Sequence, residues 1–250
     1  MNDIPIDVFI DLPPSPEPVQ AGRLWSHFRK GRESASFEYN REWLANPYRF
    51  ALEPLLPLAD GTFHTTPGQS VFGAIGDSTP DRWGRILMRR AELARARAAN
   101  ESPRTLSELD YLLRVNDEAR QGALRFSQDG GQSFCAPPGA TPIPPLVNLS
   151  RLLHAADHFC RDDENAEDLR LLLAPGSSLG GARPKASVKD KKGNLCIAKF
   201  PRHDDEYNVV AWEAVALTLA SKAGLQVPRF ELEKITDKDV LIVWRFDRTR

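Results

Sequence analysis

Residues 176–185 read Gly-Ser-Ser-Leu-Gly-Gly-Ala-Arg-Pro-Lys, and this glycine-rich stretch decides how the rest of the sequence is interpreted. Its small residues let backbone N–H groups turn toward an anion. A P-loop is excluded, because Ala182 stands where the lysine must be and a strand pattern follows instead of a helix. The dinucleotide motif G-x-G-x-x-G does not occur in the sequence. A glycine loop that feeds a β-hairpin is typical of the loop over nucleotide phosphates in protein kinases. The alternative for the loop alone is an ordinary turn.

A lysine lies near the end of the second strand of that predicted hairpin, whose strands cover 186–190 and 195–200. Strand alternation places Lys199 on the same face as Leu195 and Ile197. A lysine on an apolar face is costly unless it meets an anion. Taken alone, Lys199 is better explained by a side chain that reaches solvent along its apolar stem.

A glutamate occupies the apolar stripe of the next predicted helix, over 208–223. Helical spacing places Glu213 in line with Val210 and Leu217. A strand lysine and a helix carboxylate that face each other position nucleotide phosphates in kinases. Glu213 alone is better explained as a rim residue, but both charges in this order after a glycine loop favour a nucleotide site.

The predicted fold class is α+β. A small antiparallel β N-terminal domain with helices is expected over 1–135, and a proline-rich linker over 136–146. An antiparallel sheet with helices is expected over 147–250. The last strand of that sheet, 240–244, is continuously apolar, which predicts burial on both faces.

Composition excludes several classes of protein. The chain has 33 basic and 34 acidic residues, a net charge of −1, and 41% apolar residues. Because the net charge is close to zero, overall electrostatic attraction does not favour nucleic acid or an anionic membrane as a partner. No stretch approaches the ~20 apolar residues of a membrane span. The acidic N-terminus does not resemble a secretory signal, and three scattered cysteines fit a reducing cytoplasm, which is the expected location.

Taken together, these residues resemble HipA-like serine/threonine kinases, the toxins of bacterial toxin–antitoxin pairs. The resemblance extends along essentially the whole chain through the order and spacing of short motifs. Its motifs are Ser36-Phe37-Glu38-Tyr39, Trp43-Leu44, Phe72-Gly73-Ala74-Ile75-Gly76-Asp77, Pro80-Asp81-Arg82-Trp83-Gly84, Asp110-Tyr111-Leu112-Leu113, Arg120-Gln121-Gly122-Ala123-Leu124-Arg125-Phe126, the loop 178–185 and Arg245-Phe246-Asp247-Arg248. Residues 147–250 then correspond to a kinase N-lobe without the helical C-lobe.

The resemblance implies a role for each matching position. ATP would be bound by the loop backbone, by Lys199 and by main-chain groups of the hinge strand, with Glu213 supporting Lys199. Ser178 would be phosphorylated by the kinase itself, which ejects the loop. Trp212 departs from the asparagine that the family often has there, and no role is carried over to that position. The implied ATP-binding residues are Leu179, Gly180, Gly181, Ala182, Arg183, Lys185, Lys199, Trp244 and Phe246.

Phosphoryl transfer also requires an aspartate that orients the attacking hydroxyl, and Asp and Asn ligands for Mg²⁺. The family supplies them through an Asp-x-His-x-x-Asn loop and a later aspartate in the C-lobe, and this sequence contains no such loop. Catalytic residues and metal ligands are therefore expected outside this chain. The expectation is a C-lobe that was lost in nature, forms a separate chain or is missing by truncation.

The resemblance implies a HipB-like helix-turn-helix antitoxin as partner, with operator DNA reached only through it, and no membrane. It also implies a protein substrate such as an aminoacyl-tRNA synthetase. The alternatives are a non-catalytic module that binds the antitoxin or regulates a kinase, and a degenerate kinase. The arginine-rich helix after Pro80 is expected to be a solvated face paired with acids, or else a contact to DNA phosphates or an acidic partner. A zinc site at His154 and His158 is disfavoured, because only two good ligands are present.

Overall fold

The computed structural model describes residues 5–13, 15–135, 142–176 and 181–247. Within these residues the strands form two antiparallel sheets, and helices accompany both sheets. This confirms the α+β prediction. The strands are β1 (Ile6–Ile10), β2 (Val19–Arg29), β3 (Arg32–Tyr39), β4 (Thr62–His64), β5 (Leu124–Ser127), β6 (Lys185–Lys189), β7 (Leu195–Lys199), β8 (Phe230–Ile235) and β9 (Lys238–Trp244). The helices are α1 (Arg41–Ala45), α2 (Gly73–Gly76), α3 (Arg82–Ala99), α4 (Glu108–Leu113), α5 (Leu149–Cys160), α6 (Ala166–Gly176) and α7 (Val209–Lys222).

The chain divides into two compact units that are not continuous in sequence. The first comprises 1–79 and 105–138, and the second comprises 80–104 and 139–250. Helix α3 belongs to the second unit although it lies within the predicted domain 1–135. The boundaries 1–135, 136–146 and 147–250 stay predictions that follow chain order.

The first unit contains a five-stranded sheet in the order β4-β3-β2-β1-β5 among the described residues. Its core is formed by apolar side chains on one face of β1–β3 and by residues of the flanking helices. They include Ile6, Val8, Leu24, Phe37, Trp43, Phe72, Ile75, Leu112 and Phe126. Helix α4 begins at a capping box in which Ser107 and Asp110 bond each other's backbone N–H. The pattern Thr105-Leu106-Ser107-Glu108 by itself predicts a capping box two residues earlier, so this prediction is wrong by two residues.

The start of α4 is fixed by a residue remote in sequence. The Glu33 carboxylate accepts hydrogen bonds from the Glu108 N–H at 2.9 Å and the Leu109 N–H at 3.2 Å. These N–H groups belong to the first turn of the helix, where no intrahelical partner exists. A tertiary contact therefore helps to select this helix boundary.

The second unit contains a four-stranded antiparallel sheet in the order β6-β7-β9-β8 within the described residues. Helix α7 connects β7 to β8. One face of the sheet is covered by α3, α5 and α6. The core on that face includes Trp83, Leu87, Leu152, Phe159, Leu172, Ala186, Val188, Cys196, Ala198, Val240 and Ile242. Helix α7 packs on Leu241 through Val210 and Ala214. The predicted burial on both faces is therefore confirmed for residues 240–242, whereas Val243 and Trp244 are half-buried.

The second half of the predicted linker is attached to the edge of this sheet. The Lys189 N–H donates to the Pro144 carbonyl at 2.9 Å, and Pro145 forms a parallel bridge to Lys189. An edge strand has free backbone groups that an extended segment can pair with. Residues 136–141 of the linker lie outside the described residues.

Candidate nucleotide site

The sheet of the second unit carries its charged and apolar side chains on different faces. On β7, Cys196 and Ala198 are fully buried in the core beneath α5 and α6. Lys199 lies on the opposite face, where its strand partner is Leu241. Leu241 contacts α7, so the strand alternation directs Lys199 toward the side of the sheet on which this helix packs.

Helix α7 brings a carboxylate to that lysine. Asn208 caps the helix by accepting the Ala211 N–H at 3.0 Å, and its side-chain amide donates to Asp239 at 2.6 Å. With the helix fixed in this way, the Lys199 ammonium donates a hydrogen bond to the Glu213 carboxylate. The side chains are 29% and 40% exposed, respectively, so the pair lies at a surface that a ligand can reach.

A second lysine lies directly across the hairpin. Lys185 and Lys199 are paired residues of β6 and β7. Burial lowers the pKa of Lys185 below its ordinary value of 10.5, and the positive charge of Lys199 lowers it further, while Glu213 and Asp81 act in the opposite direction. Two ammonium groups held this close favour an anion between or above them.

The described end of the glycine loop contacts the same lysine. Gly181 has a φ of +81°, and a Cβ on it would lie 2.8 Å from the Lys185 ammonium nitrogen. A residue with a side chain is therefore disfavoured by the backbone conformation, and its Cβ would also displace the flexible end of Lys185. Two residues on, the Arg183 guanidinium donates to the Asp205 carboxylate, which also accepts the Arg202 N–H at 2.9 Å.

A buried hydroxyl also lies on this face of β6. Ser187 follows Lys185 by two residues, is paired with Ile197, and is completely buried. Within the described residues its hydroxyl has no hydrogen-bond partner. An unpaired buried polar group is uncommon and costs stability.

Of the predicted ATP-binding residues, Gly181, Arg183, Lys185 and Lys199 lie close together with Glu213 at this end of the sheet. Ala182 is exposed between Gly181 and Arg183. Three predicted positions, Ser178, Leu179 and Gly180, lie outside the described residues.

The predicted adenine-binding positions lie further along β9. Trp244 is three residues beyond Leu241, the partner of Lys199, which is about 10 Å at the rise of a strand. Its N–H donates to the Arg229 carbonyl at 2.8 Å, and its indole donates to Asp190 at 3.0 Å. Phe246 follows the strand with 82% of its surface exposed.

Sequence reasoning missed two residues that contact the glycine loop. The Gly181 N–H donates to the Asp81 carboxylate at 2.7 Å, and the Trp83 indole donates to the Lys185 carbonyl at 2.9 Å. The sequence identifies both residues only as part of the motif 80–84, which lies in the predicted N-terminal domain 1–135. No local pattern reveals a contact across about a hundred residues of chain.

The other candidate features of the second unit have structural roles. The His158 ring bonds Asp168 at 3.0 Å, and Asp157 bonds Lys238 at 2.9 Å and Arg161 at 3.0 Å. No group of three His, Cys, Asp or Glu side chains suited to a metal occurs in the described part of the chain.

Two arginines of α3 are paired with acids, as expected for a solvated face. Arg90 pairs with Asp162 and Glu164, and Arg95 pairs with Glu92.

No helix among the described residues is long and apolar enough to cross a membrane.

Comparison with known proteins supports the assignment of this segment. Residues 177–250 match the model of the family described as HipA-like C-terminal domain. This part of the chain is HipA-like. The resemblance deduced from the sequence is thus confirmed for the segment that contains the glycine loop, Lys199 and Glu213.

The present chain is also similar to a solved structure. It is the complex of HipA and HipB of the Shewanella oneidensis MR-1 toxin–antitoxin system with its operator DNA. The match has 17% sequence identity and a TM-score of 0.49, and covers 98% of the present chain and 51% of the other. The present chain thus spans about half the length of that chain. No curated protein matches it.

Proposed function

We propose that residues 178–247 form the ATP-binding part of a HipA-like serine/threonine protein kinase. The observation that supports this most strongly is the Lys199–Glu213 ion pair with Lys185 directly across the hairpin. In protein kinases a strand lysine paired with a helix glutamate positions nucleotide phosphates. The HipA-like match of 177–250 includes all three residues.

The donor set suits a triphosphate. Lys199 and Lys185 supply two positive charges, and the charges of Glu213 and Asp81 act on Lys185 in the opposite direction to that of Lys199. A polyanion would relieve the repulsion between the two ammonium groups. The backbone of 179–185 would cover the phosphates, and main-chain groups of Trp244 and Phe246 would hold the adenine. Ser178 would be the autophosphorylated residue of the loop.

Phosphorylation of a protein target belongs to the proposal for the whole kinase. The 250 residues contain no Asp-x-His-x-x-Asn loop, so the group that orients the hydroxyl and the Mg²⁺ ligands would come from a C-lobe. An aminoacyl-tRNA synthetase as target and a HipB-like antitoxin as partner follow from the family resemblance. Operator DNA would be contacted through the antitoxin.

Calorimetric titration of the 250-residue chain with MgATP tests the nucleotide site. We expect the wild type to bind and Lys199→Ala to lose about ten-fold or more in affinity, as for a charge-assisted hydrogen bond. The matched control is Lys191→Ala, which removes an exposed lysine in the turn between β6 and β7.

Two results would overturn this proposal. One is a folded wild type without affinity for MgATP, which would favour the alternative of a non-catalytic module that binds the antitoxin or regulates a kinase. The other is equal binding by Lys199→Ala and Lys191→Ala, which would place any nucleotide elsewhere.

A further inference from the structure

We infer that Asp81 and Trp83, at the start of α3, are positioning residues that hold the nucleotide loop in place. This inference rests on the proposed function, because it concerns the loop assigned to the ATP phosphates. Within the described residues, three hydrogen bonds join this helix start to the segment 181–185. Both partners belong to the second compact unit.

We call these three hydrogen bonds, from Asp81 and Trp83 to Gly181 and Lys185, the clamp. Its first part is an exchange of capping groups. Asp81 is the N-cap of α3, yet its side chain makes no capping bond to its own helix. An N-cap carboxylate ordinarily accepts an N–H from the first turn. Here the Trp83 N–H donates to the Gly181 carbonyl at 3.0 Å, and the Gly181 N–H donates to the Asp81 carboxylate at 2.7 Å. The Gly181 residue thus caps the helix, and the helix fixes both polar groups of this residue.

The second part holds the other end of the segment. The Trp83 indole donates to the Lys185 carbonyl at 2.9 Å. Its ring is 3% exposed and packs edge-on against Phe159, with the ring centroids 5.1 Å apart. Because the ring is locked in the core, the indole N–H is a rigid anchor for the point at which the loop becomes β6.

Fixing both ends of 181–185 has a consequence for phosphate binding. Gly181 is held at a positive φ at one end of the segment, and Lys185 is held through its carbonyl at the other end. A loop that is already ordered before the ligand binds loses less conformational entropy on binding, so the ligand binds more tightly. The Asp81 carboxylate therefore contributes to affinity by orienting the loop rather than by contacting the nucleotide.

The test uses variants of the full 250-residue chain. Asp81→Ala removes the acceptor of the Gly181 N–H, whereas Asp81→Asn keeps an acceptor oxygen. Trp83→Phe removes the indole N–H and keeps an aromatic ring. Asp163→Ala, which removes an exposed carboxylate of the same unit, is the matched control. Two quantities are measured: exchange of the Gly181 amide hydrogen without nucleotide, and calorimetric affinity for MgATP.

We expect Asp81→Ala to speed exchange of the Gly181 amide by about five-fold or more, as for the loss of one hydrogen bond. Asp81→Ala and Trp83→Phe should each weaken MgATP binding by a similar factor, and Asp81→Asn should restore most of the loss. The clamp would be overturned if the Gly181 amide exchanged at the same rate in Asp81→Ala as in the wild type. It would also be overturned if the wild type bound MgATP and the two variants bound it with the same affinity. A wild type that does not bind MgATP overturns the proposed function instead, and the exchange rates then decide the clamp alone.

Discussion

The Lys199 ammonium and the Glu213 carboxylate form an ion pair that joins β7 to α7 across 14 residues of chain. Both side chains are partly exposed, and exposed ion pairs contribute only about 0–1 kcal/mol to stability. The pair therefore contributes little to folding, whereas its place beside Lys185 gives it a direct effect on any anion that binds there.

This separation of roles predicts the behaviour of Glu213→Gln. The neutral amide leaves Lys199 without its counter-charge, so the lysine is no longer held in one position. We expect MgATP affinity to fall about five-fold, while the free energy of unfolding changes by less than about 1 kcal/mol. Calorimetry and urea unfolding measure the two effects, with the exposed Glu233→Gln on β8 as control. A large loss of stability with unchanged affinity would contradict the assigned role.

The buried hydroxyl of Ser187 gives a prediction in the opposite direction. Its oxygen has no hydrogen-bond partner among the described residues and is fully buried. Ser187→Ala removes an unsatisfied polar group, so we expect the free energy of unfolding to rise by about 1 kcal/mol. The comparison variant Ala186→Ser places a hydroxyl in the opposite, apolar core face and should destabilise the protein. Urea unfolding that shows Ser187→Ala to be clearly less stable than the wild type would refute this explanation.

In the first unit, Arg120 is a buried cation on which the fold depends. It is fully buried, and its guanidinium donates to the carbonyls of Ser78, Leu112 and Val115 at 3.1–3.2 Å. Arg120→Met should destabilise this unit by about 3 kcal/mol or more, because three buried carbonyls lose their donor. Hydrogen exchange of the amides in β1 and β5 measures the loss. The exposed Arg32→Met is the control, and equal exchange in both variants would show that Arg120 does not have this role.

The buried thiol of Cys196 predicts a pH dependence. Burial raises the pKa of Cys196 from 9.0 to about 12, and the nearby Asp190 charge adds to the effect. The unfolded thiol ionises near pH 9 while the folded thiol stays protonated. Its contribution to stability is therefore complete below pH 9 and is lost progressively as the pH rises toward 12. The free energy of unfolding should fall more steeply over this range in the wild type than in Cys196→Ala. Parallel pH profiles of the two proteins would rule out a raised pKa.

Elements with a strong local pattern were predictable. Apolar periodicity and turn residues predict a helix over 149–160 and a strand over 230–235, and both elements have these bounds in the structure. The strand β4 is not predictable as observed. The turn residues Ala59-Asp60-Gly61 indicate a hairpin around them, whereas the three residues of β4 pair with β3. A pairing between distant strands depends on the tertiary fold, which a local pattern does not contain.

The candidate site likewise contains residues that a local pattern predicts and residues that only the tertiary fold brings in. Lys199 and Glu213 were predictable because strand and helix periods each place one charge on a definable face, and the two elements follow one another. Asp81 and Trp83 could not be assigned to the loop, since nothing in the motif 80–84 indicates that α3 packs with the second sheet. Their contacts with Gly181 and Lys185 exist only in the folded protein.

The most direct test of the nucleotide site is an NMR titration of the Lys185 side chain with and without saturating MgATP. Without nucleotide, we predict a pKa below the ordinary 10.5, because of burial and the charge of Lys199. A bound triphosphate favours the charged ammonium, so the pKa of Lys185 should rise in the complex, and the Lys199 side-chain signals should shift as well. If the Lys185 pKa and the Lys199 signals are the same with and without MgATP, no phosphate lies at this end of the sheet and the account is contradicted.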